Sequence, residues 1–296
     1  MSGYKSGFIS IVGCPNVGKS TLLNALVGQK IAIVSEKAQT TRNRITGVLT
    51  RPDYQLIFLD TPGMTEPRNR LGEYMQKTAN EAMKDVEAIV AVLDASFGVG
   101  VRDEELLRRL DGQKAPVIVV LNKSDRASME QMNAARERAE ACGTFEHILS
   151  LSAKSGDGVD KLEAVLCDYL VEGPQYFPAD MVTDQPERLI CAELIREKAL
   201  MALREEIPHG VGVVMDRMEL REGGGLMDVY ATLYCERESH KSIIIGKGGS
   251  MLKRIGSEAR RDIEWLLGVR VNLQLWVKIK PDWRNKQSVL NELGYD

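Results

Sequence analysis

Gly13-Cys14-Pro15-Asn16-Val17-Gly18-Lys19-Ser20-Thr21 lies between an apolar run, Phe8-Ile9-Ser10-Ile11-Val12, and Leu22-Leu23-Asn24-Ala25-Leu26, where apolar residues fall at helical spacing. Strand, glycine loop and helix form the context of a phosphate-binding loop. Gly13 and Gly18 let the backbone wrap with its amides pointing inward. Those amides and the positive end of the following helix are suited to a β-phosphate. Lys19 adds a point charge between β- and γ-phosphates, and the Ser20 hydroxyl is placed to bind Mg²⁺. Asn16, Val17, Gly18, Lys19, Ser20 and Thr21 are therefore the expected phosphate-side contacts.

Downstream, strand-like segments at 45–51 and 55–60 read as a hairpin. Apolar strands recur at 88–93, 117–121 and 148–151, with helical patterns at 71–84, 103–110, 128–142 and 160–170 between them. That alternation predicts an α/β domain with a mostly parallel sheet covered on both faces. Ligands of such sheets sit at the carboxyl ends of the strands. Three further motifs fall there. In Asp60-Thr61-Pro62-Gly63, Asp60 can reach Mg²⁺ through water and the Gly63 amide can approach a γ-phosphate. In Asn122-Lys123-Ser124-Asp125, the Asp125 carboxylate can accept from guanine N1–H and the 2-amino group, a donor pair that adenine lacks. Ser152-Ala153-Lys154 follows, with the Ala153 amide expected to meet guanine O6.

Gly173-Pro174-Gln175-Tyr176-Phe177-Pro178 breaks the pattern and reads as a linker. The division expected is 1–173, a linker over 174–186, and a second domain over 187–296. The second begins with a helix at 186–204 and a hairpin of strands 211–220 and 227–236 around Glu222-Gly223-Gly224-Gly225. Ser242-Ile243-Ile244-Ile245 leads into Gly246-Lys247-Gly248-Gly249, then a basic helix at 250–267, a strand at 269–280 and a short tail beyond Pro281.

Net charge is −3, but residues 241–286 hold eleven basic and four acidic side chains, so that stretch is +7 and the remainder −10. A basic end on an acidic chain suggests a polyanionic partner. Five scattered cysteines without metal spacing predict reduced thiols in the cytoplasm. Cys14, inside the phosphate loop, is expected to react with thiol reagents. No apolar run approaches the ~18 residues of a membrane span, and no signal peptide is read.

The ordered set GxPNxGKS, DTPG, NKSD and SAK resembles the P-loop GTPases of the translation-factor-related class, and with Ala38-Gln39-Thr40-Thr41-Arg42 the Era-like group. The resemblance implies GTP and GDP as ligands and 37–45 as a first switch, one of whose threonines binds Mg²⁺. Thr41 matches the second threonine of the family's TTR, and Thr40 stays open. The implied metal set is Ser20, Thr41 and Asp60. Met64 stands where Ras-like GTPases have a water-orienting glutamine, and the nucleotide motifs show no arginine finger, so slow intrinsic hydrolysis is expected. In several Era-like proteins the asparagine matching Asn16 helps hold K⁺ beside the phosphates. Lys19, Thr41, Gly63 and Asn16 are the expected catalytic set.

Ile243-Ile244-Ile245-Gly246-Lys247-Gly248-Gly249 resembles the (I/V)IGxxG signature of KH domains, and the strand order looks like the type II arrangement. Such a loop clamps about four nucleotides of single-stranded nucleic acid. Ile245, Gly246, Lys247, Gly248, Gly249, Lys253 and Arg254 are the expected RNA contacts. Thr183-Asp184-Gln185-Pro186, Ile195-Arg196-Glu197-Lys198 and Leu275-Trp276-Val277-Lys278 extend the resemblance over essentially the whole chain. It implies a monomer that binds near the 3′ end of 16S-type ribosomal RNA and assists maturation of the small ribosomal subunit. Two alternatives stand beside this reading: an RNA-binding adaptor with GTP as a structural ligand, and a GTPase peripheral to the inner membrane. The lack of an anchor or a polybasic amphipathic helix outside the KH region weighs against the last.

Overall fold

Strand residues 88–93 show how the first layer is built. Val90 and Val92 join Ile9, Ile11, Leu56 and Phe58 on one face of a sheet, while Ile89, Ala91 and Leu93 join Val12 and Val119 on the other. Side chains alternate across a strand, so a continuous apolar run requires both faces to be covered. The structure is a computed structural model and describes residues 3–35, 37, 40–64, 66–205 and 207–295. Ala38 and Gln39, part of the first switch motif, lie outside the described residues.

The chain divides into two units. The first comprises Met1–Ala32, Thr41–Glu66 and Met75–Asp184; the second comprises Ile33–Thr40, Pro67–Tyr74 and Gln185–Asp296. Up to residue 172 the elements are β1 (Lys5–Val12), α1 (Lys19–Val27), β2 (Ile45–Thr50), β3 (Tyr54–Asp60), α2 (Arg70–Glu81), β4 (Ala88–Asp94), α3 (Val101–Leu110), β5 (Val117–Asn122), α4 (Met129–Glu140), β6 (His147–Ser150), α5 (Val159–Cys167) and β7 (Val171–Glu172). The sheet order is β2-β3-β1-β4-β5-β6, with β7 antiparallel to β1. Only β2 among the other strands runs antiparallel to its neighbour. Helices α1 and α5 cover one face and α3 and α4 the other. The loops after β1, β3, β4, β5 and β6 therefore share one edge.

The stretch expected as a linker is bound to the first unit through residue 184, eleven residues past the expected boundary. Fully buried Gln55 holds it: Oε1 accepts the amides of Tyr176 (2.9 Å) and Phe177 (3.0 Å), and Nε2 donates to the Phe177 carbonyl at 3.0 Å. The Tyr176 ring lies 5.2 Å from that of Phe8. Further on, the Val48 amide donates to the Val182 carbonyl (2.8 Å), which satisfies part of the otherwise open β2 edge.

The second unit contains α6 (Glu187–Ala202), β8 (Gly212–Leu220), β9 (Leu226–Cys235), α7 (Glu238–Ile245), α8 (Ser250–Leu267), β10 (Arg270–Ile279) and α9 (Gln287–Glu292). Its sheet is β10-β9-β8, with β10 parallel and β8 antiparallel to β9. Val229, Ala231, Leu233 and Val271 face a core supplied by Ile190, Leu194 and Ile195 of α6, Ile244 of α7 and Ile255, Ala259 and Ile263 of α8. The isoleucine run before the glycines is thus the end of a helix, which the sequence reading did not assign.

Two short excursions join this unit. Ile33 enters its core, the Val34 amide donates to Glu197 Oε1 at 2.8 Å, and the Thr40 carbonyl accepts from fully buried Arg196. The Arg70 amide donates to Asn285 Oδ1 at 3.2 Å, and Tyr74 meets Tyr295 at 5.9 Å between ring centroids. The tail beyond Pro281 is structured. Trp283 is fully buried with its indole N–H donating to the Gly210 carbonyl (2.9 Å), and Val289, Leu290 and Tyr295 are buried too. An apolar side on so short a helix is hard to see from spacing alone.

Candidate functional site

The phosphate loop is fixed by its own backbone and close neighbours. Gly13 has φ 154° and Gly18 φ 101°. A Cβ on Gly13 would sit 2.5 Å from the Val92 carbonyl oxygen, and one on Gly18 2.3 Å from Asn122 Nδ2. Both glycines are thus required by close approach. The Lys19 ammonium donates to the carbonyls of Gly13 (3.1 Å) and Cys14 (2.9 Å) and is 6% exposed. Burial holds its pKa below the usual lysine range, against the pull of Asp60. Val17 is buried, and Thr21 lies half-buried in the first turn of α1. Cys14 departs from expectation: burial pushes its thiol up to about 12, Asp103 adding to the shift, so it carries almost no thiolate at neutral pH.

Ser20, Thr41 and Asp60 converge in one corner. Ser20 Oγ lies 2.8 Å from Thr41 Oγ1 and donates to Asp60 Oδ2 at 2.8 Å. Asp60 is fully buried and its Oδ1 has no hydrogen-bond partner among the described residues. Burial raises its pKa to about 6, opposed by Lys19 and the Ser20 hydroxyl. A buried carboxylate oxygen without a donor costs free energy that a cation would recover. One carboxylate and two hydroxyls, all hard oxygens, fit Mg²⁺ completed by phosphate oxygens and water. Thr40 is elsewhere: its hydroxyl donates to the Lys37 carbonyl at 2.6 Å. Between the two threonines the geometry favours Thr41.

Past Asp60 the chain runs against the phosphate loop. A Cβ on Gly63 would fall 2.9 Å from Pro15 N and Cα, and the Met64 amide donates to the Gly13 carbonyl at 3.3 Å. The Met64 side chain packs on the apolar cluster of β4, α3 and α4. Asn16 sits at φ 68°, a left-handed conformation that asparagine tolerates better than most residues.

At the base side, Asn122 is a brace. Nδ2 donates to the Val17 carbonyl (2.8 Å) and Oδ1 accepts the Ala153 amide (2.9 Å), so the amide expected to meet guanine O6 is engaged within the protein. Lys123 donates to the Asn16 carbonyl (2.7 Å) and to Asp94 Oδ2 (2.6 Å). Asp94, at the carboxyl end of β4, was missed by the sequence reading; its position at a strand end was the available signal. Burial opposes its charge, yet Lys123 and Ser96 hold its carboxyl below the usual range. The exposed Asp125 accepts from Ser152 Oγ at 2.6 Å through Oδ1, which orients the carboxylate. Lys154 is exposed as well.

In the second unit, α7 ends and α8 begins across Gly246-Lys247-Gly248-Gly249. All three glycines have positive φ: 74°, 59° and 79°. A Cβ on Gly246 would lie 2.7 Å from Met251 Cβ, whereas Gly248 and Gly249 face open space. Lys247 and Lys253 are exposed, and Ile245 is half-buried. Arg254 is paired with Glu258 at 2.9 Å. Among the described residues, no helix is long and apolar enough to cross a membrane.

Comparison with known proteins matches both units. The family described as 50S ribosome-binding GTPase matches residues 8–123, and the KH domain family matches 206–284. GTPase Era of Alkaliphilus oremlandii (strain OhILAs) is 53% identical over 99% of both chains, and that of Clostridioides difficile (strain 630) 51% over 99% of each. A solved structure of Era in complex with MgGDPNP and nucleotides 1506–1542 of 16S ribosomal RNA covers 99% of both chains at 40% identity and TM-score 0.94. Aquifex aeolicus Era bound to GDP·AlF₄⁻ gives 40% and 0.93, covering 98% of this chain and 99% of that one. With a GTPase family match and a KH domain match in one chain, and relatives alike over its full length, the chain belongs to the Era family of GTPases.

Proposed function

We propose that this protein is a GTP-hydrolysing switch that binds the 3′ region of small-subunit ribosomal RNA and assists maturation of that subunit in the cytoplasm. The observation that carries the reading is the pairing of an oriented Asp125 beside a prebuilt phosphate loop with an uncovered GxxG loop on the same chain. The relative solved with both MgGDPNP and ribosomal RNA supports it.

In this reading the amides of residues 16–21 hold the phosphates, and Lys19 exchanges its two loop carbonyls for phosphate oxygens. Asn122, Lys123, Asp125, Ser152, Ala153 and Lys154 form the base pocket. Ser20, Thr41 and Asp60 hold Mg²⁺, which supplies charge neutralisation across the β- and γ-phosphate oxygens. Thr41, whose hydroxyl already lies 2.8 Å from that of Ser20, would complete the set from the first switch. Gly63 brings its amide toward the same phosphate. Met64 supplies no hydrogen bond to water, and Asn16 would help hold a K⁺ ion, whose charge would stand in for that of an arginine.

The packing of Met64 into an apolar cluster favours one second reading, an RNA-binding adaptor with GTP as a structural ligand. Multiple-turnover GTP hydrolysis with and without single-stranded ribosomal RNA separates them. Turnover that responds to RNA supports the switch; a single turnover insensitive to RNA supports the adaptor. Gly248→Asp, which sets a carboxylate where the RNA backbone must pass, is expected to weaken RNA binding at least tenfold.

A further inference from the structure

The sheet of the second unit has a second face, away from α6, α7 and α8. Along β9 it carries Tyr230, Thr232 and Tyr234, and along β10 Asn272, Gln274, Trp276 and Lys278, because their odd-numbered neighbours point into the core. One part of this face is covered by the chain itself. Tyr234 donates to Glu292 Oε1 at 2.6 Å, and a Cβ on Gly212 would touch Leu293. The other part is bare. There Tyr230 and Trp276 lie stacked, centroids 5.7 Å apart and planes 20° apart, with Trp276 45% exposed. Tyr230 stacks on the indole, and close to half of Trp276 stays exposed.

The charges around the pair are unevenly committed. Asp228 is held by two guanidinium nitrogens of Arg221 and by Asn272, Glu219 by Arg217, and Asp216 by the Thr232 hydroxyl. Arg270 and Lys278, exposed on the strand that carries Trp276, have no acidic partner among the described residues. A floor whose carboxylates are all hydrogen-bonded, a half-exposed indole, the Gln274 amide and the Lys278 cation match a nucleobase with its phosphate. An apolar protein helix would instead call for aliphatic side chains here.

We propose that Trp276, backed by Tyr230 and with Lys278 two residues along the same strand, is a second RNA subsite that stacks one unpaired base, separate from the GxxG loop. This rests on the RNA-binding reading above. It lengthens the single-stranded footprint beyond the about four nucleotides that one GxxG clamp holds.

The test measures binding of two unstructured RNAs to the full chain, one of about four nucleotides and one of about twelve. Trp276→Leu keeps apolar area and removes the π-face; Trp276→Phe keeps a ring. The expected result is about tenfold weaker binding of the longer RNA by Trp276→Leu, with the shorter RNA bound as before and Trp276→Phe close to wild type. Gly248→Asp should weaken both. Equal binding of the longer RNA by Trp276→Leu and wild type, with Gly248→Asp still impaired, overturns the subsite and leaves the KH reading intact. Should the wild type bind neither RNA, both readings fall. Loss of both RNAs in Trp276→Leu with an unchanged far-ultraviolet spectrum would place Trp276 in the GxxG site and also overturn a separate subsite.

Discussion

Two glycine loops in this chain lead into helices, and they are built in opposite ways. At 13–18 the glycines are walled in, with Val92 and Asn122 within 2.5 Å of any added Cβ. Lysine, asparagine and backbone groups brace the loop from several sides. At 248–249 the glycines have left-handed φ but no neighbour within 4 Å. A dense, small, highly charged group gains from a cradle whose reorganisation is settled in advance. A polymer threading past needs an unobstructed backbone and exposed cations. The comparison teaches that a glycine-rich loop discloses its ligand through what surrounds the missing side chains.

The sharpest way to break the first half of this contrast is Asp125→Asn. It removes the acceptor for two guanine donors, and a site built to pair with polar groups rejects ligands that leave them unpaired. GTP affinity should fall by about 10²–10⁴, with a gain for xanthosine triphosphate, read by nucleotide competition. Wild-type GTP affinity in that variant would remove the base-pocket assignment.

Asp60→Asn tests how far the cradle is strained without its ligand. The Asp60 pKa is raised in the fold, to about 6 from 3.8. Its carboxylate therefore destabilises the nucleotide-free protein above pH 6, and the penalty fades as pH falls through 6 toward 3.8. The variant should be about 3 kcal/mol more stable than wild type at pH 8 without Mg²⁺, the gain vanishing near pH 4. Denaturant titrations at the two pH values check this, and a pH-independent difference would contradict it.

A pair of substitutions compares the loops directly. Gly18→Ala places a methyl group against Asn122 and should lower GTP affinity at least tenfold. Gly249→Ala meets only its left-handed φ and should cost about 1–2 kcal/mol of stability without a steric clash. Equal effects would mean that conformation rather than crowding governs both. The smallest expected effect concerns the cation. Turnover in KCl should exceed that in NaCl severalfold at equal ionic strength, and Asn16→Ala should erase the difference. Matching rates in the wild type would assign activation to a partner.

Much of the first unit was legible because its signals are local. The motifs 13–21, 60–63, 122–125 and 152–154 each follow an apolar strand, and a parallel sheet must bring those strand ends to one edge. Helix α8 was read over 250–267, the bounds it has in the structure, since its apolar residues recur at helical spacing between glycines. Other features depend on partners distant in sequence. Asp94 has no motif and gains its place only by facing Lys123, 29 residues on. The segment 174–184 looked like a linker because nothing in it shows that Gln55 waits, buried, for its amides. Cys14 looked reactive because the neighbours that bury it and set Asp103 beside it are not adjacent in the chain.

The sequence by itself determined the nucleotide motifs, their order, the parallel sheet that aligns them and the KH signature, because each follows from residue type at fixed spacing. Only the tertiary structure gives Thr40 and Thr41, whose chemistry is identical, different partners. One hydroxyl meets Ser20 beside Asp60 and the other a nearby carbonyl. It alone also buried Trp283 in what read as a tail, and left Trp276 in the open on a sheet face. Local pattern sets which side of an element is apolar. What covers that side, or leaves it bare, is settled when segments far apart in the chain compete for the same surface.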